Sequence, residues 1–191
     1  ATFVVMLTWH KGRDILREAI TKRGKPLMDV LHEENKWHEI VAGSAIYMSS
    51  NLGAAPQALV TNLIFNRVRH ENLIFLIVNV TRSAREKGHL QRIHVEKIDE
   101  NASIVTIDYG FMDQLNIMRD LSYLPEKGVL VDITDAVFVL GHETITVKDG
   151  KGMARWRKEI FVFLHRNSRT PASYFGIPVK RTLEVGAHVA I

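Results

Sequence analysis

Residues 45–78 read AIYMSSNLGAAPQALVTNLIFNRVRHENLIFLIV. The first five, AIYMS, read as a short strand, and a loop of mostly small and polar residues follows from Ser50 to Ala55. Pro56 then stands at the first position of a predicted helix over 57–69, where its missing N–H costs nothing. Leu59, Leu63 and Val68 give that helix one apolar side. Residues 73–78, LIFLIV, form an unbroken β-prone run, the pattern of a strand buried on both faces. Strand, helix and buried strand in this order predict a parallel βαβ crossover, and so an α/β fold with helices packed on a sheet.

Outward from that unit the pattern continues. Two alternating runs, 91–98 and 102–109, joined by Asp99, Glu100 and Asn101, predict an antiparallel hairpin. A helix is expected over about 112–122, with Leu115, Met118 and Leu121 three residues apart. Residues 136–140 and 143–147 read as two strands flanking Gly141. The turn Asp149 to Gly152 leads into a helix over about 152–168, predicted to face the sheet with Met153, Trp156, Ile160, Phe163 and Leu164. Thr170 before Pro171 starts a short turn, and the tail from Val179 to Ile191 is apolar at Leu183, Val185, Val189 and Ile191. The predicted fold is a mixed parallel and antiparallel sheet with helices packed on it.

The N-terminal side differs in character. Residues 1–9, ATFVVMLTW, are almost wholly apolar and begin with Ala1, which reads as a cut end. Nine helical residues rise about 13 Å, under half of a hydrocarbon core about 30 Å thick. Trp9, His10, Lys11, Gly12 and Arg13 open an amphipathic stretch to Arg23. Two readings fit: the cytoplasmic exit of a membrane helix, with aromatics at the headgroups and cations just inside, or a helix packed on a soluble body through Val5, Met6, Trp9, Ile15, Leu16 and Ile20. Gly24 and Pro26 end this helix, and residues 24–43 read as a linker with a short amphipathic pattern in Leu27, Val30 and Leu31. The predicted organisation is therefore an N-terminal helix over 1–23, either a membrane-helix end with its basic juxtamembrane exit or a helix packed on a soluble body, followed by a linker over 24–43 and an α/β domain over 44–191.

Charge follows the same division. Residues 1–25 hold six of the 25 Lys and Arg side chains but two of the 21 Asp and Glu, which accounts for the whole net charge of +4. The remainder carries nineteen of each sign, so it has no excess with which to attract a polyanion, and nucleic acid is not an expected partner. The complete absence of cysteine removes disulfides, thiolate metal sites and thiol nucleophiles.

The search for chemistry yields little. His142 and Glu143 begin a zinc-protease pattern, but Thr146 stands where the second histidine belongs. His32 and His38 are six apart, off one helical face. No phosphate-loop motif and no G-x-S-x-G elbow occurs, and in Gly150-x-Gly152 the third glycine position is Arg155. No catalytic residue, metal site or cofactor is expected, and the chain is not read as an enzyme. Asn66, His70, Glu71 and Asn72 form a polar patch that suits caps and loop contacts. The candidate ligand-binding residues are Ser49, Ser50, Asn51 and Gly53, which leave the carboxyl end of a strand and lead to a helix N-terminus that favours anions. Asn62, one turn into the helix, would look back toward them. The same loop residues also serve simply to make the turn.

Particular strings carry a resemblance. GSAIYMSSN at 43–51, Pro56 to Leu59, Asn62 to Glu71 ending RVRHE, YGFM at 109–112, FVLGHET at 138–144, GMARWRKEIFVFLHRN at 152–167, FGIP at 175–178 and EVGAHVAI at 184–191 occur in order. Together they resemble the C-terminal cytosolic region of the Kup/HAK/KT potassium uptake permeases, and residues 2–20 resemble the end of the family's last membrane helix with its basic exit. His142, His188 and Ala190 depart from the family pattern. The resemblance implies a regulatory or assembly domain on the cytoplasmic side of the inner membrane, belonging to a proton-coupled symport system. Its implied partners are the membrane portion of the same permease, the membrane surface through residues 1–25 and a second copy in a homodimer. Cytosolic domains of some relatives bind a cyclic dinucleotide, so the resemblance also admits a nucleotide ligand. The family's ion-binding residues lie outside this chain. An independent enzyme with an anionic substrate is the alternative from a different class.

Overall fold

A computed structural model describes residues 2–34, 39–50, 53–86, 88–148, 152–168 and 174–191. The βαβ unit is present: β1 (Glu39–Met48), α3 (Gln57–Asn66) and β2 (Val68–Val80), with β1 and β2 parallel. Both strands are longer than their buried apolar segments: Glu39 to Ala42 and Asn79 to Val80 are exposed strand ends, held by pairing with the neighbouring strand and not by burial. Pro56 lies one residue earlier than expected, at the cap of α3. The helix stops at Asn66 because Arg67 takes a left-handed conformation (φ 53°) that turns the chain into β2 with a single connecting residue.

Before this unit come α1 (Thr2–Arg23) and α2 (Leu27–Glu34). After it come the antiparallel hairpin β3 (Ile93–Asp99) and β4 (Ala102–Tyr109), then α4 (Ile117–Leu121), β5 (Val137–Thr146), α5 (Arg155–Arg166) and β6 (Thr182–Ala190). The two strands expected around Gly141 are one continuous strand, β5. Glycine weakens a strand but does not end it, and β6 pairs with β5 without interruption from Phe138–Thr182 to Thr146–Ala190. The helix expected over 112–122 shortens to α4, capped by the Asn116 side chain accepting from the Arg119 amide. Thr170 and Pro171 lie outside the described residues.

The six strands form one sheet in the order β3-β4-β2-β1-β5-β6, with every neighbouring pair parallel except β3 and β4. Alternate residues feed opposite faces. Ile46, Ile74, Leu76 and Phe138 point to a core closed by α4, Leu124 and Ile177. Tyr47, Phe75 and Val139 point to one closed by α2 and α3, where Leu27, Val30 and Leu31 are buried. This two-sided cover is why LIFLIV lacks polar alternation.

A third cluster joins α1 and α5 to the far ends of β5 and β6, with Leu16, Ile145, Met153, Phe161, Val162 and Val189 at its centre. Val139 and Ile145 share a parity on β5, so α1 and α5 lie on the same face of the sheet as α2 and α3. The buried face of α5 is Lys158, Phe161 and Val162, which corrects the expected stripe: Trp156 and Phe163 are 55% and 68% exposed. Lys158 is tolerated inside because its Nζ donates to the Lys148 carbonyl at 2.8 Å.

Candidate functional site: a crevice at the sheet switch point under α1

Strand β1 has β2 on one side and β5 on the other, and the chain reaches β5 only after completing the β2–β4 side. The boundary between β1 and β5 is therefore a topological switch point, the place where open α/β sheets leave a crevice beyond the carboxyl ends of their strands. Here the opening has a visible cause. β1 pairs with β5 over only Ala45–Val137, Ile46–Phe138 and Tyr47–Val139, whereas β5 runs on to Thr146 beside β6. Past Tyr47 and Val139 the two strands part.

The crevice occupies about 430 Å³ and is walled by Met48, Ser49 and Ser50 after β1, by Leu140, Gly141 and Glu143 on β5, and by the start of α3 from Ala54 to Ala58. Its roof is α1, whose Trp9, Arg13, Leu16, Arg17 and Ile20 line it. These positions follow the i, i+4, i+7, i+8, i+11 spacing of one helical face. His165 and Ser168 at the end of α5 and Phe175 complete the wall.

Of the residues singled out from sequence, Ser49 and Ser50 line this crevice. Gly53 is exposed beside it, and Asn51 lies outside the described residues. Asn62 does not reach the crevice wall. It is buried on the sheet side of α3, where its Nδ2 donates to the Tyr47 hydroxyl at 3.1 Å and its Oδ1 accepts from Asn66 at 2.6 Å. Burial pushes the Tyr47 phenol above its ordinary pKa, and the bond to Asn62 partly offsets this. Asn66 therefore supports Asn62, while the His70 ring is half-buried and its pKa lowered by desolvation.

The electrostatics of the crevice come from residues distant in sequence. Arg13 and Arg17 are one helical turn apart on its roof. The first turn of α3 has no acidic residue and no side-chain cap, leaving backbone N–H groups at its start. Across from them, burial raises the Glu143 carboxyl above its usual range, with His142 opposing the shift. His165 is held below its ordinary value by burial first, then by electrostatic interaction with neighbouring His142 and Arg13. The crevice thus favours a neutral Glu143, a neutral His165 and an anion near the arginines. Among the described residues no three metal-ligating side chains converge. None of Arg13, Arg17, Glu143 and His165 is placed in this crevice by the sequence reading, which takes Arg13 as part of the basic exit and Glu143 as part of an incomplete zinc-protease pattern, since they belong to α1, β5 and α5 and no local motif links them.

The family model described as "K+ potassium transporter C-terminal domain" matches residues 42–191. The chain belongs to that family. Its relatives include the "Probable potassium transport system protein Kup" of Azoarcus sp. (strain BH72), 35% identical over all of this chain and 30% of that protein. The proteins of the same description from Myxococcus xanthus (strain DK1622) and Caulobacter vibrioides (strain NA1000 / CB15N) are 34% and 32% identical, over 99% and 100% of this chain and 29% of each relative. This transporter domain therefore spans about three-tenths of the curated relatives it matches. No solved structure matches it. Among its described residues no helix is long and apolar enough to cross a membrane.

Proposed function

We propose that this is a regulatory and assembly domain on the cytoplasmic side of a proton-coupled potassium uptake permease, with no catalysis of its own, and that α1 is its mechanical link to the membrane portion. One observation carries the reading. The first turns of α1 expose apolar side chains, with Phe3 73% and Met6 65% exposed, while the turns from Thr8 onward are packed on α5 and roof the crevice. A single uninterrupted helix thus has one end suited to a bilayer and the other built into a binding cleft.

The cleft supports a sensing role: Ser49 and Ser50, with Gly53 beside them, Arg13 and Arg17, and the start of α3 suit a phosphate-bearing ligand such as a nucleotide or cyclic dinucleotide. Asn62 acts behind it by holding Tyr47. A thermal-shift screen of this chain against nucleotides and monovalent ions tests the idea, since a ligand selective for the folded state raises the melting temperature. The expected result is a rise with a phosphate-bearing ligand that Arg13→Glu plus Arg17→Glu abolishes. No shift with any of them overturns the sensing role. Potassium uptake by a permease ending at residue 23, unchanged in rate and in its response to external potassium, overturns the regulatory one. Self-association is the second reading, favoured by the exposed edge strand β6 with Leu183 42% exposed. Sedimentation showing monomer alone at high concentration removes it.

A further inference from the structure

The packing of α5 on α1 defines a second surface at the apolar end of α1. Arg157 Nε donates to Thr8 Oγ1 at 3.0 Å, and Phe161 lies against Gly12 and within 5.6 Å of the Trp9 ring. Both contacts pair residues 149 apart, so the helices run parallel and in register. Gly152, however, lies against Ile15. Between Gly152 and Arg155 the chain therefore climbs along α1 from the level of the Ile15 side-chain tip to beyond that of Thr8, turns at Ala154 and descends as α5. The start of α5 is an apex, level with the exposed apolar turns of α1.

Ala154, Arg155 and Trp156 are all exposed at this apex. A tryptophan ring with an apolar body and one N–H donor is best accommodated at the headgroup level of a bilayer. The titratable groups that face outward near this height are His10, Lys11, Arg155 and Arg157, against Asp14 paired with His10 and Glu159 paired with Arg155, while Lys158 is buried and bonded to the Lys148 carbonyl. The balance is positive, complementary to anionic lipid.

We infer that the first turn of α5 rests on an anionic bilayer surface, with Trp156 in the headgroup region and Arg155 beside lipid phosphates, as a second point of contact next to α1. This inference rests on the reading of residues 2–7 as membrane-associated. It supplies what one helix cannot: two contacts fix the rotation of the domain about α1, so the crevice keeps one orientation to the membrane.

The chain holds three tryptophans, Trp9, Trp37 and Trp156. Two single-tryptophan forms of the whole chain, Trp9→Phe with Trp37→Phe and Trp37→Phe with Trp156→Phe, report separately on Trp156 and Trp9. Each is mixed with phosphatidylcholine vesicles carrying one-quarter phosphatidylglycerol, part of the phosphatidylcholine being brominated as a quencher. Both tryptophans are expected to be quenched, and Arg155→Glu to weaken vesicle binding roughly ten- to thirtyfold, as about 1 kcal/mol per surface charge predicts for a change of two charges. Phe163→Ser, as exposed as Trp156 but about 10 Å lower on the same stripe, is expected to change nothing. Quenching of Trp9 alone overturns this inference and leaves the role of α1 intact. Quenching of neither overturns both. A blue shift of Trp156 that grows with protein concentration in the absence of lipid assigns the apex to a second copy and overturns the inference as well.

Discussion

Gly12 lies face to face with the ring of Phe161: a Cβ at residue 12 would fall 2.3 Å from Phe161 Cδ2 and 2.4 Å from Cγ. The closeness of α1 to α5 depends on that missing methyl group. Gly12→Ala raises intrinsic helix propensity by about 1 kcal/mol yet forces the helices apart, and overpacking of this kind costs about 1–3 kcal/mol. Hydrogen exchange in α1 is expected to accelerate in Gly12→Ala, and exchange unchanged from wild type would show that the two helices have room for the methyl group.

Asp120 is the charged centre of the opposite end of the sheet. Fully buried, it accepts from the Tyr109 hydroxyl at 2.6 Å, meets His89 at 3.2 Å and Arg119 at 3.4 Å, and lies 3.7 Å from the buried Arg92. Desolvation, followed by this carboxylate, pushes the Tyr109 phenol far up. Asp120→Ala strands a buried guanidinium and is expected to lower stability by about 3–5 kcal/mol in urea unfolding.

Tyr47 and Asn62 make a smaller buried pair. Tyr47→Phe removes one hydroxyl and leaves Asn62 with Asn66 and the Val68 carbonyl, at a cost of about 0.5–1.5 kcal/mol. Asn62→Ala removes all of these contacts and opens space, so its melting temperature is expected to fall further than that of Tyr47→Phe. Equal losses would show that the hydroxyl bond is the whole of the effect.

Glu143 and His165 give the crevice opposite dependences on pH. Glu143, raised from its ordinary 4.5, binds more proton folded than unfolded, so its contribution is complete below that value and is lost as pH rises through the folded pKa. His165, lowered from 6.5, binds less proton folded, so its contribution is complete above 6.5 and is lost as pH falls through the folded pKa. Glu143→Gln is expected to stabilise the chain relative to wild type at pH 8 but not at pH 4. His165→Gln is expected to flatten the acid side of the profile below pH 6.5. Parallel pH profiles for all three proteins would contradict both assignments.

The β1–α3–β2 unit and the hairpin were legible because each strand fills one face or both with apolar residues in step with the pleat, and Pro56 marks the start of the helix between them. The face of α5 was not. Its sequence offers two apolar stripes, Trp156 with Phe163 and Phe161 with Val162, and only the arrival of α1 decides that the second is buried. Lys158 falls on that buried side, against every local rule, because a carbonyl of the distant Lys148 receives it. The crevice was half legible for a related reason. Ser49 and Ser50 follow from the strand end before α3, but the charges that give the cleft its chemistry are brought there by contacts spanning more than a hundred residues.

The parallel seating of α1 against α5 has a mechanical meaning. Arg13 and Arg17 project from the same rod whose first turns are apolar, with no proline between Thr2 and Arg23 to absorb torque. Because α1 is locked to α5 at Thr8 and Gly12, roof and body behave as one piece: whatever displaces the tip of the rod carries the whole cleft with it instead of prising it open.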